Sequence, residues 1–270
     1  MSLADLAGQS FGPFVYHTAP EKVGEYVAAT GDDADRWTGA APPSLAGALL
    51  FEVAPHLLSH PAALESASSV VHGDQQFTWH RAIPLDTALD ITGTVGRARE
   101  RSGVWFVGFE LAVADGDGPV LDGASTFLMS GPDAPAVARA EPEDEPPARE
   151  GSVNMLSAGG HRRAASRADL VRYAGASRDW NPIHWDHAAA VGAGLAGVVV
   201  HGLLQSAWLT IAAARTVPGT RPFESAKFRY RAPLRPAVET LAAVTVLDGG
   251  RIDAGLAAGD TTFVTGTFQS

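Results

Sequence analysis

A carboxylate and an imidazole lie close together in the segment Asp179-Trp-Asn-Pro-Ile-His184. Pro182 fixes its own φ angle and favours an extended Asn181, so the segment is predicted to form a stiff bend and not a helix. The Asn181 side chain can bond backbone groups and lock that bend. A carboxyl and an imidazole on one bend can bind a water molecule and act as acid and base. Adding water to a double bond beside a carbonyl, or removing it, needs such a pair.

A His-Gly pair follows at His201-Gly202 and opens the apolar stretch Leu203–Thr216. The first N–H groups of a helix have no helical acceptor and carry a partial positive charge, and glycine lets a ligand approach closely. An oxyanion that develops on a carbonyl oxygen would be stabilised there. We expect the Gly202 N–H to bind that oxygen and His201 to be structural. The alternative is a glycine needed only for close packing.

The bend has two further interpretations. Asp179 alone could cap a turn, and His184 alone could be a hydrogen-bonded polar residue near the core. Asp179, His184, Asp186 and His187 could also bind a metal. The two histidines lie on an irregular loop with no shared helical face, and no third histidine stands at a ligand-like spacing. We therefore expect no metal.

The composition limits the class of protein. The chain has 270 residues, of which 46% are hydrophobic and 19% charged, which is typical of one large or two ordinary globular domains. A net charge of −10 disfavours nucleic acid as a partner. The absence of cysteine excludes disulfides and thiolate sites. With no membrane-length apolar run and no signal-peptide pattern, we expect a cytoplasmic protein without a membrane partner.

An acidic, proline-rich segment divides the chain. Residues 131–152 have low hydrophobicity and self-repelling charge, which predicts a flexible linker. The segment separates an N-terminal half, 1–130, from a C-terminal half, 153–270.

The two halves are predicted to be an internal repeat, each with a short helix, a loop containing Asp, an apolar helix and antiparallel strands. The first helices follow capping-box patterns, Thr18-x-x-Glu21 and Ser166-x-x-Asp169. The predicted helices are Pro20–Thr30, Pro43–Leu58, Arg167–Ala176 and Gly202–Thr216. The predicted strands are Gln75–Ala82, Ala88–Arg97, Val104–Ala114, Val120–Met129, Glu224–Ala232, Thr240–Leu247, Arg251–Ala257 and Thr261–Phe268.

The second half resembles the MaoC-like, or type 2, enoyl-CoA hydratases. Their motif, Tyr/Phe-x-x-x-Ser/Thr-Gly-Asp-x-Asn-Pro-Ile/Leu-His, is matched at Tyr173, Ser177, Asp179, Asn181, Pro182, Ile183 and His184. Arg178 stands where the family usually has Gly, which tolerates backbone angles that Arg does not. The resemblance implies an α+β double hotdog, in which two antiparallel sheets each wrap around a central helix.

The same resemblance implies a function. A hydro-lyase of this family, acting in fatty acid metabolism, catalyses reversible syn hydration of trans-2-enoyl thioesters to (R)-3-hydroxyacyl thioesters, or the reverse dehydration. Asp179 and His184 would activate the water, and the Gly202 N–H would bind the thioester oxygen. The partner would be an acyl-CoA or acyl-carrier-protein thioester. CoA or phosphopantetheine then enters as part of the substrate, no separate cofactor is expected, and the protein would be a homodimer.

Basic side chains are candidates for binding the phosphates of such a carrier. Lys227, Arg229 and Arg231 alternate along one predicted strand and so share a face. With Asn181 they are the candidate substrate-binding residues. The alternative for each cation is a solvated charged surface.

The first half keeps the frame of the motif without its acid/base pair. Tyr26–Asp32 aligns with Tyr173–Asp179 without a gap, which places Trp37 at the position of His184. We therefore expect one active site per chain. The first half would have a degenerate site and shape the acyl pocket, lined by Trp37, Phe51 and the apolar run Leu45–Phe51.

Two other functional classes fit such a fold. A hotdog acyl-thioesterase would hydrolyse the C–S bond, but it would not need the Asn-Pro-Ile-His bend. A non-catalytic acyl-binding subunit of a dehydratase complex could dispense with the Asp179 and His184 pair.

Overall fold

One antiparallel sheet of ten strands runs through the computed structural model, which describes residues 2–131, 142 and 162–270. The strands of the first half are β1 (Ser10–His17), β2 (Ser69–Trp79), β3 (Ala88–Arg101), β4 (Val104–Asp115) and β5 (Gly118–Ser130). Those of the second half are β6 (Arg162–Arg163), β7 (Ser225–Tyr230), β8 (Thr240–Val246), β9 (Arg251–Ala258) and β10 (Thr261–Gln269). Their order is β1-β3-β4-β5-β2-β7-β10-β9-β8-β6, so the halves meet where β2 pairs with β7.

Seven α-helices accompany this sheet in the described part of the chain. They are α1 (Pro20–Thr30), α2 (Ala46–Phe51), α3 (Ala54–Leu58), α4 (Pro61–Ser66), α5 (Arg167–Ser177), α6 (His187–Gly192) and α7 (Gly202–Ala214). Helix α7 packs on β8, β9 and β10, and α1 packs on α5 across the boundary between the halves. Every residue of α7 after Gly202 is buried, as expected for a helix that is largely apolar.

The strands alternate between buried and exposed residues. In β3, Leu89 and Ile91 are fully buried, whereas Ala88 and Asp90 are exposed. Such alternation is typical of an antiparallel sheet with one face on the core and the other towards solvent. The α+β double hotdog expected from the sequence is confirmed.

Of the two capping boxes predicted at helix starts, one is present and one is not. The box at Ser166 and Asp169 is present, with both reciprocal hydrogen bonds. The box predicted at Thr18 is wrong, because Ala19 is the N-cap of α1 and makes no side-chain cap. The Thr18 hydroxyl instead donates to the carbonyl of Thr87 and accepts from its N–H, both at 3.1 Å.

The apolar helix predicted over Pro43–Leu58 is also wrong as a single element. The segment forms a 3₁₀ turn, Pro43–Leu45, followed by α2 and then α3. Pro55 has no N–H to donate, and it lies in the first turn of α3, where a missing donor costs least. The helix predicted over Gly202–Thr216 is confirmed and ends at Ala214.

The eight predicted strands are present with shifted ends, and β1 and β6 were not predicted. The predicted linker, 131–152, lies outside the described residues except for Gly131 and Pro142, as do residues 153–161. Within the described part of the chain, no helix has the length and apolar character to cross a membrane.

Candidate active site

Asp179 lies directly after α5. Arg178 ends that helix in the left-handed conformation, with φ 61° and ψ 13°, at the position where glycine is usual in the related motif. The Ser177 hydroxyl donates to the carbonyl of Tyr173 at 2.7 Å, and its Oγ accepts the Asp179 N–H at 3.3 Å. This turn directs Asp179 into the interior, where only 4% of the residue is exposed.

His184 ends a single 3₁₀ turn, Pro182–His184, and is buried. Its Nδ1 lies 2.8 Å from the carbonyl oxygen of Val199. Because a carbonyl can only accept, Nδ1 carries the proton in the neutral ring and Nε2 keeps a free lone pair. The ring is therefore oriented as a proton acceptor.

Asn181 locks the bend between these two groups. Its Oδ1 accepts from the N–H of Ile183 at 3.4 Å, and its own N–H donates to Asp179 Oδ1 at 3.4 Å. Its Nδ2 donates to the carbonyl of Val70 at 3.3 Å, which ties the bend to β2 of the first half. The predicted locking role is thus visible as contacts, whereas a substrate contact of Asn181 stays a prediction.

His201 joins the pair, although only a structural role is expected for it from the sequence. Its Nε2 donates to the backbone carbonyl of Asp179 at 3.1 Å. Its ring stacks on that of His184 with centroids 3.8 Å apart and planes inclined by 24°. The His201 Nδ1 is buried and has no hydrogen-bond partner among the described residues. One side-chain oxygen or nitrogen from each of Asp179, His184 and His201 lies within 4.8 Å of the others.

Burial sets the protonation states of this cluster. Desolvation raises the pKa of Asp179 to about 7, opposed by the hydrogen bond from the Asn181 backbone. Desolvation also lowers the pKa of His184 to about 4, opposed by its bond to Val199. Burial and the neighbouring His184 ring hold the pKa of His201 well below its usual range. Near neutral pH both histidines are uncharged, and Asp179 is close to its own midpoint.

Gly202 begins α7 immediately beside this cluster. A Cβ atom at this position would lie 3.0 Å from Cε1 of Tyr230, so a side chain here would crowd that ring. The Tyr230 hydroxyl is 2.7 Å from the Ser206 hydroxyl, one turn further along α7. The helix start therefore lies against an aromatic ring that a larger residue would displace.

The donor set could also hold a metal ion, but it shares only Asp179 and His184 with the four residues considered from the sequence. Among the described residues, Asp179, His184 and His201 form such a group, whereas Asp186 and His187 do not belong to it. The Asp186 side chain accepts the Ala189 N–H and so caps α6. The missing third histidine of the sequence argument is His201, which the fold brings in from the start of α7.

The basic residues predicted to bind phosphates do not converge on the cluster. Lys227, Arg229 and Arg231 are exposed. They alternate along the chain with buried Phe228 and with Tyr230, whose ring contacts Gly202, so they point to the opposite face of the sheet. A role in binding the carrier stays a prediction for this outer face.

The equivalent position in the first half is closed. Asp32 accepts a hydrogen bond from Trp37 Nε1 at 2.9 Å and another from the Asp33 N–H at 2.8 Å. Burial raises the pKa of Asp32, and these bonds oppose the rise. An indole N–H can only donate, so Trp37 cannot accept a proton from water.

A small cavity lies between the two central helices. Its volume is about 10 Å³, and its walls are Pro43, Ser44, Gly47, Phe77, Trp79, Leu203, Ser206, Ala207, Thr210 and Phe228. Of the lining predicted for an acyl pocket, only Gly47 from the run Leu45–Phe51 borders it, and Trp37 and Phe51 do not.

Sequence reasoning missed the contribution of β2. His72 packs on Tyr230 with ring centroids 5.2 Å apart, and its Nε2 is 3.0 Å from Gln75 Oε1. Burial lowers the pKa of His72 to about 4. The pairing of β2 with β7 places His72 beside Tyr230, and no local motif in the sequence predicts that pairing.

Fold and site together define a double hotdog protein with a buried Asp–His cluster. Solved structures agree on the fold. A MaoC-like dehydratase matches 99% of each chain with a TM-score of 0.76 at 21% identity. HtdX of Mycobacterium tuberculosis matches 97% of this chain and 100% of its own with a TM-score of 0.73 at 21% identity.

Sequence comparison identifies the family. Residues 141–262 match the MaoC like domain. A UPF0336 protein of Clavibacter michiganensis is 32% identical over 132 residues, which are 44% of this chain and 89% of that protein. The mitochondrial 3-hydroxyacyl-[acyl-carrier-protein] dehydratase of Arabidopsis thaliana is 33% identical over 85 residues, 32% of this chain and 51% of that protein. The chain belongs to the MaoC-like family.

Proposed function

We propose that the protein is a hydro-lyase that reversibly adds water to trans-2-enoyl thioesters, giving (R)-3-hydroxyacyl thioesters, at one site per chain. The observation that carries this proposal is the buried cluster of Asp179 and His184 beside the start of α7, in which His184 Nδ1 is bonded to Val199 and Nε2 keeps its lone pair. The similarity to the Arabidopsis dehydratase supports the reaction class.

His184 and Asp179 have complementary roles in the proposed reaction. Neutral His184 accepts a proton from water at Nε2 while the water oxygen bonds to Cβ of the enoyl group. The π electrons move towards the thioester oxygen, and the protonated carboxyl of Asp179 then gives its proton to Cα. The imidazolium returns a proton to the Asp179 carboxylate, so one water is consumed and the site is restored.

The position of the two groups explains the syn course. A carboxylate oxygen of Asp179 and a ring nitrogen of His184 lie within 4.8 Å of each other, which supports delivery of the hydroxyl and the proton to the same face of the double bond. His201 fixes that geometry by bonding the Asp179 backbone and stacking on His184. It is a positioning residue in this account.

Gly202 stabilises the negative charge that develops on the thioester oxygen. The N–H at the start of α7 has no helical acceptor, and the partial positive charge of the helix end adds to its effect. Removing one such donor typically lowers kcat by about 10²- to 10³-fold. The substrate is a thioester of CoA or of an acyl carrier protein, with the carrier arm as part of the substrate.

The test is an assay of the purified chain with trans-2-enoyl-CoA substrates. We expect loss of the absorbance of the conjugated thioester, and a product that only an (R)-3-hydroxyacyl-CoA dehydrogenase oxidises. Free thiol, measured in the same reaction, should not accumulate. Thiol release without hydration would replace this proposal by a thioesterase. Binding without either reaction would replace it by a non-catalytic acyl-binding subunit.

A further inference from the structure

The cavity between the central helices follows one face of α7. Its α7 walls are Leu203, Ser206, Ala207 and Thr210, a spacing that places all four side chains on the same side of a helix. This face begins next to Gly202 and ends about 12 Å further along the helix axis. An acyl chain whose thioester oxygen binds at Gly202 and which runs along this face therefore reaches the cavity.

Tyr230 lies against the first turn of α7, beside the wall of the cavity that Ser206 forms. Its ring contacts Gly202, and its hydroxyl bonds Ser206, which is a cavity wall. The first turn of the face is thus covered, and Tyr230 must turn aside to admit a chain. The chain would leave the Asp179, His184 and His201 cluster behind it and enter a region that includes Leu203 and Phe228.

Two residues that wall this region each carry a buried polar atom without a partner. Ser44 Oγ and Trp79 Nε1 belong to cavity walls, and neither has a hydrogen-bond partner among the described residues. Ser44 is 8% exposed and Trp79 3%. An indole N–H can only donate and a serine hydroxyl can donate, so the group that completes both is an acceptor.

The two hydroxyls on the α7 wall, those of Ser206 and Thr210, do have hydrogen-bond partners within the protein. Ser206 Oγ lies 2.7 Å from the Tyr230 hydroxyl, and Thr210 Oγ1 donates to the carbonyl of Ser206 at 2.8 Å. Both are satisfied within the protein. Buried donors are rarely left unpaired in folded proteins, so the pair at Ser44 and Trp79 points to an absent acceptor.

We propose that this cavity is a polar subsite for an oxygen atom on the acyl chain, so that the substrates are enoyl thioesters with a carbonyl, hydroxyl or ether oxygen beyond the double bond. A cavity of about 10 Å³ has room for roughly one water-sized group, which suits a single oxygen. A plain alkyl chain would leave both donors unpaired, and sites with buried donors discriminate strongly against substrates that lack the acceptor. This inference rests on the proposed function for the orientation of the chain.

The test compares pairs of trans-2-enoyl-CoA substrates of equal length, with and without a keto oxygen. The oxygen is placed at successive carbons between about the fifth and the ninth, the reach that the helical rise allows from Gly202. We expect kcat/KM to be at least about tenfold higher for one oxygen position than for the plain chain, in line with such discrimination. Calorimetry on Asp179→Asn measures binding of the same pairs without turnover and should show the same preference.

Three variants test whether Ser44 and Trp79 cause the preference for a keto substrate. Ser44→Ala and Trp79→Phe each remove one free donor, and each should lower the ratio of kcat/KM between keto and plain substrates about tenfold. Thr210→Val is the matched control, because it changes a cavity wall whose hydroxyl is already bonded to the protein. It should leave the ratio unchanged.

The outcomes separate the two proposals. Equal kcat/KM and equal binding for keto and plain chains would overturn the polar subsite while hydration itself stands, and would mean that a water molecule completes the two donors. A ratio that neither Ser44→Ala nor Trp79→Phe lowers would also overturn it. Selective binding of a keto chain without any hydration would overturn the proposed function and leave the subsite supported.

Discussion

The two halves of the chain share one frame and differ at the group that can accept a proton. In the first half the Thr30 hydroxyl donates to the carbonyl of Tyr26 at 3.0 Å. In the second half the Ser177 hydroxyl donates in the same way to Tyr173 at 2.7 Å. A left-handed residue then ends the helix in each half, and an aspartate follows, partly buried in the first half and buried in the second.

Beyond that aspartate the halves diverge. Trp37 donates its N–H to Asp32, which fixes the carboxylate in a structural hydrogen bond. His184 instead donates to Val199 and leaves Nε2 free beside Asp179. One residue at the same spacing thus decides whether the loop is a structural turn or an acid/base site.

The largest expected effect comes from removing the pair in the second half. Asp179→Asn and His184→Gln should each lower kcat for enoyl-CoA hydration by about 10²- to 10⁴-fold, the usual contribution of a general acid or base. Asp32→Asn and Trp37→Phe are the matched changes in the first half and should lower it less than about threefold, since that loop has no proton acceptor. A loss at Asp32 as large as that at Asp179 would mean that both halves are catalytic.

The pH dependence of kcat/KM should reflect the same pair. Hydration requires neutral His184 and protonated Asp179, whose pKa values are about 4 and about 7. The rate should therefore be highest between these values and fall about tenfold per pH unit above the upper one. Steady-state rates from pH 5 to pH 9 test this, and a rate that rises through pH 7 would assign Asp179 as the base.

Stability should show the cost of burying Asp179. Its pKa is raised in the folded state, so the folded chain binds the proton more tightly and stability falls as pH rises from about 4 to about 7. Above pH 7, Asp179→Asn should raise the free energy of unfolding by on the order of a few kcal/mol. Urea denaturation at pH 5 and pH 8 measures the difference.

The control for this effect is Asp32→Asn. Two hydrogen bonds to the Asp32 carboxylate oppose the rise of its pKa. The increase in the free energy of unfolding that Asp32→Asn causes should therefore change less between pH 5 and pH 8 than that of Asp179→Asn. A gain at Asp32 equal to that at Asp179 would contradict the proposed difference in electrostatics between the halves.

The smallest expected effect concerns the helix ends. Arg178 has a positive φ that glycine adopts more readily, and its guanidinium bonds Glu52 at 2.8 Å. Arg178→Gly removes both the strain and the ion pair, so the free energy of unfolding should change by less than about 1 kcal/mol. Gly31→Ala, at the matching position with φ 66°, should lower it by about 1 kcal/mol. Equal losses from both variants would show that Arg178 is not strained.

Local patterns in the sequence were enough for most of the fold. The capping box at Ser166, the apolar helix from Gly202 and the alternating strands each depend on nearby residues, and each is present. The same reasoning failed where a more distant contact or a proline decided the outcome. Thr18 bonds Thr87 and does not cap α1, and Pro55 interrupts the helix predicted over Pro43–Leu58.

Local patterns also predicted the site residues that lie in short motifs, and missed those that distant contacts bring in. Asp179, His184 and Gly202 were identifiable because they lie in short motifs. The sequence predicts only a structural role for His201, because nothing in it shows that the His201 ring stacks on His184. Tyr230 and His72 reach the site only through the pairing of β2 with β7, which no local pattern predicts. The pKa of Asp179 depends on its burial and could not be derived before the fold was known.

The most direct measurement is a crystal structure with a bound 3-hydroxyacyl-CoA. We predict that the thioester oxygen accepts a hydrogen bond from the Gly202 N–H, and that the 3-hydroxyl lies between the Asp179 carboxyl and His184 Nε2. A product bound beside Asp32 and Trp37, or a 3-hydroxyl out of reach of both Asp179 and His184, would contradict the account.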